Sequence, residues 1–221
     1  MKYDKFQYLF PPRPEFKTKP NELALYDNGE YIGQPKYNGS ACIVFTNGSE
    51  LYIYNRHKEL LNLLTNYKEI DWRGLAPTEN WFVYCGEYLN KSKVSERGVK
   101  DNNKFIIWDQ LVHDGEYLVG STLRERLELM EKNFPSQRAV VNNIGKLEMY
   151  KHLCMTDLAG IYKCPTYLNN FRNLYDDLVK VDVYEGLVLK KLEAKLQYGF
   201  QELNNHEWQI KCRKETKIYS F

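Results

Sequence analysis

Residues 34–45 have the sequence QPKYNGSACIVF, in which Lys36 stands between a proline and a glycine. Pro35 directly precedes this lysine, and Gly39 follows it by three residues. A fixed φ angle before the lysine and a residue without a side chain after it suit a chain that approaches a ligand closely. Such a lysine can bind a phosphate as a cation or attack it as a nucleophile. On its own, however, the pattern is more typical of a solvated lysine beside a turn.

The segments after Lys36 predict a hairpin. Strand-like patterns run over Ser40–Thr46 and Leu51–Tyr54, and Asn47-Gly48 between them is a strong two-residue hairpin signal. A short apolar run also precedes Lys36. We therefore expect Lys36 in a loop between strands.

The composition restricts the class of protein. A chain of 221 residues can form one large domain or two small ones. The net charge of only +2 excludes the global basic field of a nonspecific nucleic-acid coat, so a polyanion would have to bind a local patch. The 5 cysteines are odd in number and include no Cys-x-x-Cys pair, so neither a disulfide framework nor a zinc site is predicted. Without an apolar leader or membrane-length run, we expect a soluble, cytoplasmic protein with no membrane partner.

In the rest of the chain, predicted strands outnumber predicted helices. Residues 1–29 are expected to form an extended, proline-rich lead-in packed on a domain of residues 30–221, and residues 90–103 form a polar loop. Further strands are predicted at Trp81–Leu89, Phe105–Val112, Tyr184–Leu192 and Trp208–Cys212. Helices are predicted at Glu59–Tyr67, Thr122–Asn133 and Leu168–Val179. The pattern indicates an α+β fold of antiparallel sheets flanked by helices.

Charged residues recur within these apolar segments. Glu87 lies in the middle of a predicted strand, where a carboxylate is costly to bury unless it meets a cation or a metal; a structural ion pair explains it equally well. Glu185 and Lys190 stand at opposite ends of another strand. Lys211 and Arg213 share one face of the last strand, as in an ordinary edge strand. A polyphosphate with a divalent metal ion would account for all of these charges together.

In this order, the segments resemble the covalent nucleotidyltransferase superfamily, which contains the ATP-dependent DNA ligases, the RNA ligases and the mRNA capping enzymes. The segment 36–39 looks like the nucleophile motif of that family, and Arg56 matches the arginine after the first hairpin. The later matches are residues 86–89 with the third motif, residues 105–109 with the segment that carries an adenine-stacking aromatic, residues 185–190 with the fourth motif, and Lys211 with the fifth. The resemblance covers roughly residues 30–214, and six ordered matches are specific where one is not.

Three features depart from the family pattern. Asn38 stands where most DNA ligases have aspartate, which leaves an RNA ligase open. The last motif has Lys211 and Arg213 instead of two lysines. The sequence ends at Phe221, so we expect the nucleotidyltransferase domain (ATP-grasp-like, a ligase adenylation domain) without the family's C-terminal OB-fold.

The resemblance implies a role for each matched residue. Lys36 would attack the α-phosphate of ATP and carry AMP as a phosphoramidate, with Lys190 and Lys211 as the other catalytic residues. Arg213 would help to neutralise the α-phosphate, and Glu185 would bind Mg²⁺. Glu87 would bind the ribose hydroxyls, and Arg56 would contact the ribose or a 5′-phosphate. The adenine site would be formed by Trp108, Val188 and Gln34.

The resemblance thus predicts an ATP-dependent polynucleotide ligase that joins 5′-phosphate and 3′-hydroxyl ends. The expected cofactors are ATP and Mg²⁺, and the expected partners are nucleic-acid ends or nicks, with DNA favoured over RNA. We further expect a monomer of phage or viral type that acts in the host cell. The alternatives are an RNA ligase, a capping-type guanylyltransferase, and a nucleotide- or end-binding module without catalysis.

Overall fold

In a computed structural model of the protein, the described residues are 1, 13–61, 69–89, 93–94, 100–101, 103–135, 154–197 and 205–216. The strands are β1 (Arg13–Lys17), β2 (Tyr31–Tyr37), β3 (Ser40–Thr46), β4 (Leu51–Asn55), β5 (Phe82–Leu89), β6 (Lys93–Val94), β7 (Lys100–Asp101), β8 (Lys104–His113), β9 (Glu116–Tyr117), β10 (Cys154–Met155), β11 (Ile161–Lys163), β12 (Tyr184–Lys191) and β13 (Asn205–Arg213). The helices are α1 (Leu123–Asn133) and α2 (Phe171–Leu178), with short 3-10 helices at Pro20–Tyr26 and Arg73–Leu75. Within these ranges, no helix has the length and apolar character needed to cross a membrane.

Two large sheets organise the strands. The first has the order β1-β13-β12-β2, and the second has the order β10-β11-β8-β5-β3-β4 with β9 beside β8. The β1–β13 and β11–β8 pairs are parallel, whereas the other pairs within these sheets are antiparallel. The prediction of antiparallel sheets is therefore corrected to mixed sheets. The long chain segments that connect each parallel pair make this arrangement possible.

The helix α1 begins where its sequence predicts. Thr122 Oγ1 accepts a hydrogen bond from the backbone N–H of Glu125 at 3.2 Å, and the N–H of Thr122 donates to the Glu125 carboxylate at 2.7 Å. This capping box satisfies two N–H groups that a helix end leaves without partners. Leu123 and Met130 then bury the apolar face of α1.

The helix α2 packs under the first sheet. Its buried side chains Phe171, Leu174 and Leu178 belong to one apolar cluster with Leu187 and Leu189 of β12. The prediction that this helix starts at Leu168 is wrong, because α2 begins three residues later. The backbone of the preceding Tyr167 is held by Gly33 of β2, so the chain is still extended there, and Leu168 is exposed.

Lys36 lies in the strand β2, not in the loop that its sequence predicts. The preceding proline is compatible with a strand because β2 is at the edge of its sheet. The N–H of Gly33, two residues before Pro35, points away from β12 and donates to Tyr167. An N–H at position 35 would also point away from β12. The proline at this position therefore costs no hydrogen bond between β2 and β12.

Two further predictions need correction. The segment Glu59–Tyr67 does not begin as a helix, because Leu60 pairs with Tyr54 and continues antiparallel to β4; residues 62–68 lie outside the described residues. The predicted loop at 90–103 contains the paired strands β6 and β7, and its remaining positions other than Asn103 also lie outside the described residues. The division of the chain between residues 29 and 30 stays a prediction.

Candidate active site

The strands β2 and β12 place predicted site residues on one face of the first sheet. Gln34 is directly opposite Val188, and Lys36 is directly opposite Gly186. Residues paired across neighbouring strands point to the same side of a sheet, and so do residues two apart on one strand. Gln34, Lys36 and Val188 therefore share a face.

The strand β13 extends the same face. Val188 is opposite Lys211, Gly186 is opposite Arg213, and Lys190 is opposite Gln209. We call this surface of the first sheet the cationic face; it carries Gln34, Lys36, Val188, Lys190, Lys211 and Arg213. Six of the ten predicted site residues thus converge through strand register alone, although they lie in three distant segments of the sequence.

Glu185 joins this face through a bulge. The register of β12 against β2 shifts between Tyr184 and Gly186, so Glu185 is the extra residue. Gly186 has a φ of +137°, and a Cβ atom there would lie 2.1 Å from the carbonyl oxygen of Cys212. Only glycine fits at this point. The Glu-Gly pair in the sequence is therefore what turns the Glu185 carboxylate toward Lys36.

The Glu185 carboxylate bridges two cations. Its Oε2 lies 2.5 Å from Lys36 Nζ and 3.3 Å from Arg213 Nη2. The side chains of Lys36 and Glu185 remain 26% and 21% exposed, so a ligand in solution can reach both. This group combines a potential nucleophile, a proton acceptor and an anion-binding guanidinium.

Glu87 reaches the same place from the second sheet. Its Oε1 accepts a hydrogen bond from the Gly39 N–H at 3.0 Å, and the side chain is buried. A Cβ atom on Gly39 would lie 2.6 Å from the Tyr88 carbonyl oxygen, so this glycine permits close approach to β5. Burial raises the pKa of Glu87 to about 7, while the nearby charge of Lys36 lowers it and that of Glu185 raises it.

Lys190 is a buried cation at the other end of β12. Its Nζ lies 3.5 Å from the carbonyl oxygen of Trp108 and 6.0 Å from the centre of the Trp108 ring. Burial lowers the pKa of Lys190, and the negative charge of Asp109 opposes this effect. The half-buried Trp108, which was predicted to stack on adenine, thus lies next to the cationic face.

Lys211 is surrounded by other cations. Burial lowers its pKa first, and the charges of Lys17, Lys36 and Arg213 lower it further. Its Nζ lies 3.5 Å from the carbonyl oxygen of Pro14 in β1. Several like charges at one surface favour the binding of an anion.

Gln34 is buried at the centre of β2. Its Nε2 donates to Thr166 Oγ1 at 3.3 Å, whereas its buried Oε1 has no hydrogen-bond partner in the described part of the chain. A buried acceptor of this kind is satisfied by a ligand that donates, such as an amino group. Val188, directly opposite, offers a half-buried apolar surface beside it.

Arg56 does not lie on the cationic face. It is exposed in the turn after β4, at the edge of the second sheet, and its Nε lies 3.0 Å from His57 Nε2. Glu87 and Trp108 also belong to the second sheet, but they approach Lys36 and Lys190 respectively.

Sequence reasoning missed several residues beside the site. Asp109 and Arg126 form a buried pair with N–O distances of 2.8 and 3.0 Å, and the Asp109 charge acts on Lys190. Arg126 could have been recognised, since it falls on the apolar face of α1 between Leu123 and Met130. Thr166 and Lys17 gave no local signal, because long-range contacts bring them here.

The carboxylates at the site are few. Among the described residues, no group of three or more His, Cys, Asp or Glu side chains could hold a metal ion. Of the described carboxylates, Glu185 and Glu87 lie beside Lys36. Mg²⁺ is commonly bound by one or two carboxylates together with substrate phosphates, so this pair fits Mg²⁺ in the presence of a phosphorylated ligand.

The fold is similar to that of DNA ligase catalytic domains. No protein-family model matches the sequence, and no curated protein matches it significantly. A mycobacterial DNA ligase D solved with ATP and MES has a TM-score of 0.63 at 14% identity, over 96% of this chain and 62% of the other. The ligase domain of LigD from M. tuberculosis gives 0.61 at 15%, over 95% and 60%. A structure of a Lig E DNA ligase gives 0.53 at 13%, over 93% and 70%.

These similarities concern the fold, since the identities are low. The chain spans 62% and 60% of the length of the two mycobacterial structures. Its described part combines two mixed sheets, two α-helices and a lysine-bearing edge strand. The chain therefore has a fold similar to that of these DNA ligase structures.

Proposed function

We propose that this chain is the adenylation domain of an ATP-dependent polynucleotide ligase, with Lys36 as its nucleophile. The observation that carries the proposal is the group formed by Lys36, Glu185 and Arg213 on the cationic face. A lysine beside a carboxylate and several further cations can both lose a proton and bind the phosphate that it attacks. The similarity to ligase structures supports this reading of the site.

The first step transfers AMP to Lys36. The Lys36 ammonium passes a proton to Glu185 Oε2, which lies 2.5 Å away. The free amine attacks the α-phosphorus of ATP, so a nitrogen–phosphorus bond forms while the bond to the bridging oxygen breaks. Pyrophosphate leaves with that electron pair. Lys190, Lys211 and Arg213 stabilise the negative charge that develops on the α-phosphate.

The next steps use the adenylated lysine. A 5′-phosphate oxygen attacks the AMP phosphorus, the nitrogen–phosphorus bond breaks, and Lys36 takes up a proton from solvent and leaves as the amine. A 3′-hydroxyl then attacks the 5′-phosphorus and loses its proton to solvent, while the bond to the AMP oxygen breaks and AMP leaves. Glu185, after it has passed its proton on to solvent, and Glu87 would hold Mg²⁺, which would supply positive charge to the phosphates.

The base-binding end of the site favours adenine. The buried Gln34 Oε1 needs a donor, and the adenine amino group is a donor where guanine has a carbonyl. Val188 and Trp108 offer the neighbouring apolar and aromatic surfaces. Polynucleotide ends with DNA favoured over RNA are the proposed substrate, because the similar structures are DNA ligases.

The test is label transfer followed by sealing. The protein is incubated with Mg²⁺ and either α-labelled ATP, γ-labelled ATP or α-labelled GTP, and then separated under denaturing conditions. A covalent band with α-labelled ATP alone is expected. Sealing of nicked DNA, nicked RNA and a hybrid duplex then identifies the substrate. A band with GTP alone would favour a capping-type enzyme, and no band with any donor would overturn the proposal.

A further inference from the structure

The strand β1 adds a cation to the cationic face that the sequence motifs do not include. Lys17 is in register with Lys211 in the parallel β1–β13 pair, and the N–H of Thr18 donates to the Lys211 carbonyl at 3.1 Å. Phe16 is in register with Ile210, whose side chain belongs to the cluster on the α2 side of the sheet. Because successive residues of a strand alternate in direction, Lys17 points to the same side as Lys211.

The cations on this face follow the order of the strands. Lys36 is on β2 at one edge, Arg213 and Lys211 are on β13, and Lys17 is on β1 at the opposite edge. The charges of both Lys17 and Lys36 lower the pKa of Lys211, so Lys211 is close enough to interact with each of them. Neighbouring strands are about 4.8 Å apart, so the two edges of the sheet are separated by about 14 Å.

Adjacent like charges destabilise a sheet unless an anion lies between them. Of the described carboxylates, Glu185 lies on this surface, where it bridges Lys36 and Arg213, and Glu87 approaches Lys36 from the second sheet. Both carboxylates therefore lie toward β2 and β12, whereas Lys17 and Lys211 lie on the β13–β1 side. A ligand with several phosphates matches this distribution.

Resting on the function proposed above, we infer that Lys17 binds the phosphates of the nucleoside triphosphate that leave as pyrophosphate. In phosphoryl transfer, the attacking and leaving atoms lie on opposite sides of phosphorus. Lys36 attacks from the β2 edge, so the leaving group points toward β1, where Lys17 and Lys211 lie side by side. Lys17 is thus a substrate-binding residue for the adenylation step.

The test compares Lys17→Ala with Lys17→Arg and with Lys132→Ala. Lys132 is an exposed lysine on α1 and serves as the matched control for loss of one surface charge. Three rates are measured: self-adenylation across a range of ATP concentrations, release of AMP from the adenylated protein by added pyrophosphate, and sealing of a pre-adenylated nick. Thermal unfolding of each variant verifies that β1 remains paired.

We expect Lys17→Ala to raise the concentrations of ATP and of pyrophosphate needed for half-maximal rate by about threefold to fivefold, the upper part of the range for an exposed ion contact. Lys17→Arg should keep both within about twofold of the wild type, because the charge is retained. Unchanged values in Lys17→Ala would overturn the inference. An equal or larger loss in sealing of the pre-adenylated nick would overturn it as well, since that result assigns Lys17 to nucleic-acid phosphates.

The inference can fail separately from the proposed function. If the wild-type protein forms no adduct with ATP, the proposed function fails, and calorimetric titration with inorganic pyrophosphate still decides the role of Lys17. Binding that weakens in Lys17→Ala but not in Lys132→Ala supports the inference, and equal binding in all three proteins contradicts it. If the adduct forms normally in the wild type and in Lys17→Ala, only the inference fails.

Discussion

Lys36 Nζ lies 2.5 Å from Glu185 Oε2. The bulge at Glu185 creates this contact, because it turns the carboxylate toward the opposite strand. The proposed nucleophile and its proposed proton acceptor therefore lie in direct contact. In the proposed reaction the carboxylate would release the lysine when the α-phosphate binds, a change that Arg213 can assist because it contacts the same oxygen atom.

Glu185→Gln should slow self-adenylation by about 10²-fold or more, since a proton acceptor typically contributes that much. The side chain keeps its size but loses its charge and its basicity. The rate of this variant should also rise more steeply with pH than that of the wild type, because solvent then has to accept the proton. Single-turnover rates between pH 6 and 9 provide the measurement. A rate within about twofold of the wild type at every pH would rule out this role for Glu185.

Lys190→Ala and Lys211→Ala should each lower the rate of self-adenylation by about 10²-fold, the usual effect of losing charge stabilisation in the transition state. Lys191→Ala is the matched control, because Lys191 follows Lys190 in β12 but pairs with Glu30 at 3.3 Å and is 45% exposed. Its rate should remain close to that of the wild type. If both test variants react as fast as Lys191→Ala, the cationic face does not bind the reacting phosphate.

Glu87 should make the stability of the protein depend on pH. Its pKa of about 7 lies above the ordinary value of 4.5, so the folded state holds the proton more tightly than the unfolded state. This contribution is complete below pH 4.5 and is lost as the pH rises through about 7. Relative to Glu87→Gln, the free energy of unfolding of the wild type should therefore fall by about 2 to 3 kcal/mol over this window.

Urea unfolding at several pH values tests this effect. Glu128→Gln, which changes an exposed carboxylate on α1, is the control and should follow the wild-type curve. Parallel curves for the wild type and Glu87→Gln would mean that Glu87 ionises normally in the folded protein.

Gly186→Ala should destabilise the fold by about 3 to 5 kcal/mol, because the new methyl group meets the backbone of β13 in a region of φ that side chains rarely adopt. Gly120→Ala separates the two causes. Gly120 also has a positive φ, +89°, but has open space around its Cβ position, so only about 1 to 2 kcal/mol should be lost. If both variants lose the same free energy of unfolding, the backbone of β13 moves away from the new methyl group at Gly186 without destabilising the fold.

The sequence predicted the elements that short-range patterns specify. The β3–β4 hairpin and the capping box of α1 depend on residues within a few positions of each other, so both could be recognised and both are present. The strand β12, with its carboxylate and lysine at opposite ends, was recognised for the same reason. The charged residues singled out from the sequence include Lys36, Lys190 and Lys211, which the first sheet brings together, but also Arg56, which lies at the edge of the second sheet.

Features that depend on distant contacts could not be predicted. Lys36 lies in a strand because β12, about 150 residues later, pairs with its segment; Lys36 and Glu185 are 149 residues apart. The strand β1 pairs with β13, where Lys211 contacts Pro14 across 197 residues. No local pattern encodes such a parallel partner. The buried pair of Asp109 and Arg126 was missed although Arg126 lies between Leu123 and Met130 on the buried face of α1.

The most direct test of the account is the mass of the protein after incubation with ATP and Mg²⁺, followed by mapping of the modified peptide. We expect an increase equal to a single AMP, located on the peptide that contains Lys36. Lys36→Arg, which keeps the positive charge, should stay folded and show no increase. The same adduct in Lys36→Arg, or an adduct on any other residue of the wild type, would contradict the assignment of Lys36 as the nucleophile.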